Sequence, residues 1–190
     1  MHEVNGVFAK PSKTAIHPKT LLYPILEKLF GETFSQGYPH EELSRMCQSS
    51  IYLLKIMGFP LEAYPFRWVS GCGPASRTLT YDFTWGNAIP MGQVVFRKDF
   101  QEIIDRLRAV IERLDIETYS VADWLQCMAA IHYLRTYVMK WNASIEEVVS
   151  EVERRMPAMS AHDTNIKTAQ WLDVLLMNSD FLAVSQSSPR

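Results

Sequence analysis

The segment that most constrains this chain runs VADWLQCMAAIHYL from Val121 to Leu134. At about 100° per residue, Val121, Trp124, Leu125, Met128, Ile131 and His132 fall within one arc of a helix. Cys127, Ala129 and Leu134 flank that arc. An apolar arc this wide leaves little surface for water, so the segment predicts a central helix touched on several sides. Ser120 and Asp123 supply a capping-box start for it.

The rest of the chain reads as partners for that helix. Leu21, Leu22, Ile25, Leu26, Leu29 and Phe30 recur at helical spacing before Gly31, with Pro18 as a possible first position and Pro24 expected in or near the first turn. Leu43, Met46, Cys47, Ile51, Leu54 and Met57 mark a second helix between Pro39 and Gly58. Phe100, Ile103, Ile104, Leu107, Val110, Ile111 and Leu114 give the clearest amphipathic helix, with a charged opposite face. Ser144 and Glu147 box the start of another, which Pro157 ends, and a last helix runs from about Asp163 through Trp171 to Leu176.

Two stretches read as β. Tyr64, Phe66 and Trp68 alternate, which predicts a short strand with one aromatic face, kept to an edge by Pro65. Val94-Val95-Phe96 is the candidate second strand. Between them Gly71-Cys72-Gly73-Pro74-Ala75-Ser76 predicts a turn, with Pro74 opening a helix through Leu79 and Phe83. The fold expected is mainly α, a compact domain of six or seven helices with a short two-stranded β element. Residues 1–17 form an arm, 18–184 the domain and 185–190 a frayed tail.

Composition limits the function classes. No apolar run approaches the ~20 residues of a membrane span, so no membrane partner is expected. Nineteen basic against twenty-one acidic residues give a net charge of −2, without a Lys/Arg run, which argues against nucleic acid as the main partner. Cys47, Cys72 and Cys127 form no CxxC, a usage that suits a reducing cytoplasm. Nothing in the chain calls for a cofactor.

Four constellations bear on chemistry. His162-Asp163 is the adjacent pair used by metal-dependent phosphohydrolases, with His40, His132, Asp173 and Asp180 as further ligands, but a helix N-terminus explains it more simply. His132 and Arg135 sit on the apolar arc, where a charge is costly unless paired. They read either as a neutral core histidine plus a paired arginine, or as a polar pocket under the Gly-rich turn. That turn, with Arg67 and Arg77 nearby, offers helix amides to an anion, yet lacks the Lys-Ser/Thr ending of a P-loop. Cys72 becomes a nucleophile only if His132 lies beside it. The aromatics Tyr64, Phe66, Trp68, Trp124 and Trp171 read as core rather than as base-stacking platforms.

Tyr52-Leu53-Leu54-Lys55, Gly58-Phe59-Pro60-Leu61 and Phe66 through Ser76, then Leu79 and Asp82, resemble segments of the Panacea (SocA-like antitoxin) domain family and allied bacterial proteins. The run from Trp124 to Leu134 looks like the helix bearing a Leu-His-Tyr-Leu segment in the allied proteins. The resemblance covers about residues 43 to 176 and departs at Ala75, where the allied proteins often carry an aromatic residue. It implies a helical domain that neutralises a toxin by direct contact, or that serves as a proteolysis adaptor. The expectation is therefore a protein-binding module, not an enzyme, with a toxin or a defence-complex subunit as partner. An inhibitor carried by a phage or mobile element is the second reading, and a metal- or Cys/His-dependent phosphohydrolase the third. Arg67, Gly73, Pro74, Ala75, Ser76 and Arg77, with the loop residues Ile89, Pro90 and Met91, are the expected contact residues.

Overall fold

A computed structural model describes residues 19–31, 39–85, 95–114 and 117–177. Within them lie seven α-helices and one two-stranded antiparallel sheet, the mainly-α architecture that the sequence predicts. In chain order these are α1 (Lys19–Phe30), α2 (His40–Ile56), β1 (Arg67–Val69), β2 (Gly73–Ala75), α3 (Arg77–Trp85), α4 (Lys98–Ile111), α5 (Val121–Tyr133), α6 (Ile145–Arg155) and α7 (His162–Met177). The expected arm at 1–17, Pro18, the tail at 185–190 and Val94 lie outside the described residues.

The centre is α5. Every residue from Trp124 to His132 is buried, and α2, α6, α7 and β2 all touch the helix. Its start is fixed by the capping box: Asp123 N–H donates to Ser120 Oγ at 3.2 Å, and Ser120 N–H donates to Asp123 Oδ2 at 3.3 Å. The same device at Ser144 and Glu147 opens α6. Leu22, Ile25, Leu26 and Leu29 of α1 and Ile104, Leu107 and Val110 of α4 bring their apolar faces into the same core. Pro24 lies inside α1, beyond its first turn, where the missing N–H costs one helical bond.

The sheet differs from the sequence expectation. Arg67–Val69 pairs with Gly73–Ala75, in the register Arg67↔Ala75, Trp68↔Pro74 and Val69↔Gly73, while Val95 and Phe96 are in no strand. Pro74 is therefore a strand residue and not a helix opener. Cys72 N–H closes on Val69 C=O at 3.0 Å, with Gly71 at φ +74, the third position of a tight turn that favours glycine. Gly73 has φ +77 but only ordinary contacts where a Cβ would stand, so backbone conformation, not space, selects glycine there. The helix starts at Arg77 instead, after Ser76. The Gln48 carboxamide clasps the Ser76 backbone from both sides, donating to its C=O at 3.1 Å and accepting from its N–H at 2.9 Å. No helix among the described residues is long and apolar enough to cross a membrane.

Candidate functional site

A cleft of about 580 Å³ opens where α5 ends. Past Tyr133 the helix widens into a π-helical turn, Leu134–Val138, closed by Met139 N–H on Leu134 C=O at 2.8 Å. Thr136 and Val138 are β-branched and weaken regular helix there. The chain then reverses at Lys140 and Trp141, whose φ values of 54° and 60° lie in the left-handed region. For a lysine and a tryptophan that conformation costs about 1–2 kcal/mol each. The reversal sets the Trp141 indole over the cleft, its ring centre 6.1 Å from that of His132. The Arg135 guanidinium covers the indole at 4.5 Å and pairs with Asp173 of α7 at 2.7 Å.

Tyr133 and Tyr137 of this turn make one wall, their ring centres 4.9 Å apart. Phe66, just before β1, makes another and meets Tyr52 edge-on at 5.1 Å. Ile56 and Leu176 add aliphatic surface. The polar end consists of Tyr52 and Lys55 of α2, His132 of α5 and Thr136 of the π-turn.

Tyr52 and His132 share a 2.8 Å hydrogen bond at Nδ1. Burial, with Tyr137 and Tyr133 nearby, raises the Tyr52 phenol well above its ordinary range, so it keeps its proton; His132 is the one partner of this buried hydroxyl among the described residues, so that proton goes to Nδ1. Burial first, and the Arg135 charge second, push His132 down to about 4, so the imidazole is neutral at pH 7. With Nδ1 accepting, the remaining ring proton sits on Nε2, whose one partner among the described residues is Thr136 Oγ1 at 3.4 Å. Lys55 Nζ donates to Tyr64 C=O at 2.8 Å and stands 5.9 Å from the Phe66 ring centre.

His132 and Arg135 thus behave as the neutral core histidine and paired arginine of the simpler reading. His132 also lines a pocket, but that pocket lies against α2 and the π-turn, not under the Gly-rich turn. Of the expected contact residues, Gly73, Pro74 and Ser76 are buried by packing on α5 and α2 and present no contact surface; Ala75 is half-buried. Arg67 and Arg77 are exposed, while Ile89, Pro90 and Met91 lie outside the described residues.

The His162-Asp163 pair opens α7, and His162 Nδ1 lies 3.1 Å from Glu153 Oε1. Asp173 faces Arg135, and Asp180 is outside the described residues. Among the described residues no three His, Cys, Asp or Glu side chains converge as metal ligands. Cys72 is exposed in the β1–β2 turn, where its C=O accepts from Gln126 Nε2 at 2.7 Å.

Lys55, Thr136, Tyr137 and Trp141 were not legible as a site. The available signal was the aromatic series Tyr133, Tyr137 and Trp141, which continues past the apolar arc without a Gly or Pro stop. Comparison with protein-family models, curated proteins and solved structures finds no match for this chain.

Proposed function

We propose that the chain is a non-enzymatic protein-binding module that neutralises or regulates a protein partner, as the antitoxins of the Panacea-like resemblance do. The observation that supports it is the apolar rim of the cleft. Tyr137 and Trp141, which line it, are 61% and 48% exposed, and Val138, next to Tyr137 in the chain, is 42% exposed. Large aromatics at such a rim are the side chains that anchor protein interfaces. The contact surface moves accordingly from the Gly-Pro turn to this rim, with the exposed Arg67 beyond Phe66. Catalysis by Cys72 and His132 has less behind it, because Cys72 lies in the β1–β2 turn and does not line the cleft, whereas His132 lines it and bonds Tyr52. An inhibitor of a defence complex is the same kind of module with a different target, and the neighbouring genes discriminate between the two.

The test is affinity capture from the native host, with a Tyr137→Ser/Trp141→Ser double variant alongside. One stoichiometric protein partner, held by the parent chain and lost by a variant with the same far-ultraviolet dichroism, is the expected outcome. Equal recovery by both chains, or no partner above background, overturns the proposal.

A further inference from the structure

The interior of the cleft carries information that its rim does not. Its volume of about 580 Å³ falls in the size class of small-molecule sites, roughly 300–1,000 Å³. Its walls are flat: Phe66 on one side, Tyr133 and Tyr137 on another, and the Trp141 indole at the mouth. Flat aromatic walls favour a planar ring, which stacks or meets them edge-on.

The polar end is biased towards donors. Among the described residues Lys55 is the one charged residue lining the cleft, and no carboxylate lines it. An ammonium has three N–H donors, of which Tyr64 C=O takes one. His132 accepts from Tyr52 at Nδ1 and turns its Nε2 proton towards Thr136 at a distance too long for a good bond. Two donors with bonding capacity in hand, at one end of an aromatic slot, match an acceptor-only group such as a carboxylate. The walls are also held at a cost. Lys140 and Trp141 occupy left-handed backbone, and Arg135 and Asp173 brace the indole.

We propose that this cleft is a binding site for a small planar aromatic carboxylate, its ring between Phe66, Tyr133 and Trp141 and its carboxylate on Lys55 Nζ and His132 Nε2. The site goes beyond capture of a protein partner and does not depend on it, because the ligand fills the interior whether or not the rim is covered.

The experiment is isothermal titration of the purified full chain, without partner, with indole-3-acetate and with its neutral analogue indole-3-ethanol. The expected result is one-to-one binding of indole-3-acetate, with indole-3-ethanol weaker by roughly tenfold or more, the scale of a charged hydrogen bond. Lys55→Met keeps the aliphatic stem and removes that preference, so the two probes bind it alike. Tyr137→Ala, at an exposed wall residue, weakens both probes and keeps the site testable should Lys55→Met fail to fold. No binding of either probe at millimolar concentration overturns the assignment, as does a carboxylate preference that survives Lys55→Met. A peptide ending in a free tryptophan carboxylate that binds more than tenfold tighter than indole-3-acetate overturns it in favour of a protein terminus. Loss of partner capture in the Tyr137→Ser/Trp141→Ser variant leaves this result untouched, so the two proposals fail separately.

Discussion

Two buried polar clusters flank α5, and they are built on opposite terms. Beside its N-terminal half, Asn165 of α7 is 0% exposed and uses its whole amide. Its Oδ1 accepts from Tyr119 OH at 3.0 Å and Cys127 Sγ at 3.1 Å, and its Nδ2 donates to Glu153 Oε1 at 3.1 Å and Met159 C=O at 2.8 Å. Tyr119 in turn accepts from Ala161 N–H at 3.2 Å. The cluster ties the segment before α5 to α5, to α6 and to the entry of α7. In the C-terminal half, His132 has one good hydrogen bond, one long one and an open cleft beside it. Burial of polar groups is common to both. Unspent bonding capacity next to a void distinguishes the second, and backbone strain accompanies it. A saturated network specifies a fold, whereas an unsaturated one at a cavity is where a ligand gains.

That contrast is most exposed to test by truncation. Asn165→Ala leaves the buried Tyr119 phenol, Cys127 thiol and Met159 carbonyl each short of a partner, while the half-buried Glu153 keeps His162. At ~1–3 kcal/mol for a stranded group, partly offset by relaxation, the expected loss is about 4 kcal/mol in urea unfolding. Tyr52→Phe removes the best bond in the other cluster, but His132 keeps an opening towards the cleft, and the expected loss is about 1 kcal/mol. Equal losses at the two positions break the comparison.

Acid titration comes next in size. His132 is pushed down to about 4 in the folded chain, against an ordinary 6.5. Between those values the unfolded chain binds the proton and the folded chain does not, so stability rises with pH. The contribution is fully present above about pH 6.5 and is lost as pH falls towards 4, by up to ~3 kcal/mol at 1.36 kcal/mol per unit. His132→Asn puts an amide oxygen near the Nδ1 position, so the bond from Tyr52 survives and the titration does not. The stability–pH curve of this variant is expected to flatten between pH 4 and 6.5 relative to the parent. A curve of unchanged slope assigns the effect to carboxylates elsewhere. The Asn165 cluster contributes no such slope in that range from its thiol, because burial pushes Cys127 up to about 12.

How much of this was legible follows from the range of each signal. The central role of α5 was readable because its apolar arc is local, and so were the boxes at Ser120/Asp123 and Ser144/Glu147. The strand partner of Arg67–Val69 was not, since Pro74 reads equally as a helix opener and as an edge residue. Register there is set by Gly71 and Gly73 taking positive φ, which sequence permits without requiring. The π-turn covers five residues, too few for a change of period to register in an 11-residue window. The cleft was least legible because it is non-local: Tyr52 and His132 meet from 80 residues apart. Only the packing of α2 on α5 brings the α2 pair, Tyr52 and Lys55, to the π-turn. The sequence marked His132 and Arg135 as polar groups on an apolar arc, and the structure divides them between the cleft and the brace behind Trp141.

The smallest effect probes the strain directly. Lys140 is exposed at φ 54, so its replacement by glycine removes no core contact and relieves a left-handed cost of about 1–2 kcal/mol. Glycine also gives back part of that gain through greater freedom in the unfolded chain, roughly 0.5–1 kcal/mol. Lys140→Gly is therefore expected to stabilise the protein by about 0.5–1 kcal/mol, read as a higher urea midpoint at unchanged slope. It should do so without improving indole-3-acetate binding, because the indole of Trp141 is held by Arg135 rather than by the Lys140 side chain. The same change at Trp141 runs the other way: glycine there relieves φ 60 but deletes the indole, and the ligand should be lost even if the fold gains. A destabilised Lys140→Gly would mean that the reversal is not strained, and that the Asn165 cluster and the cleft differ in hydrogen bonding alone.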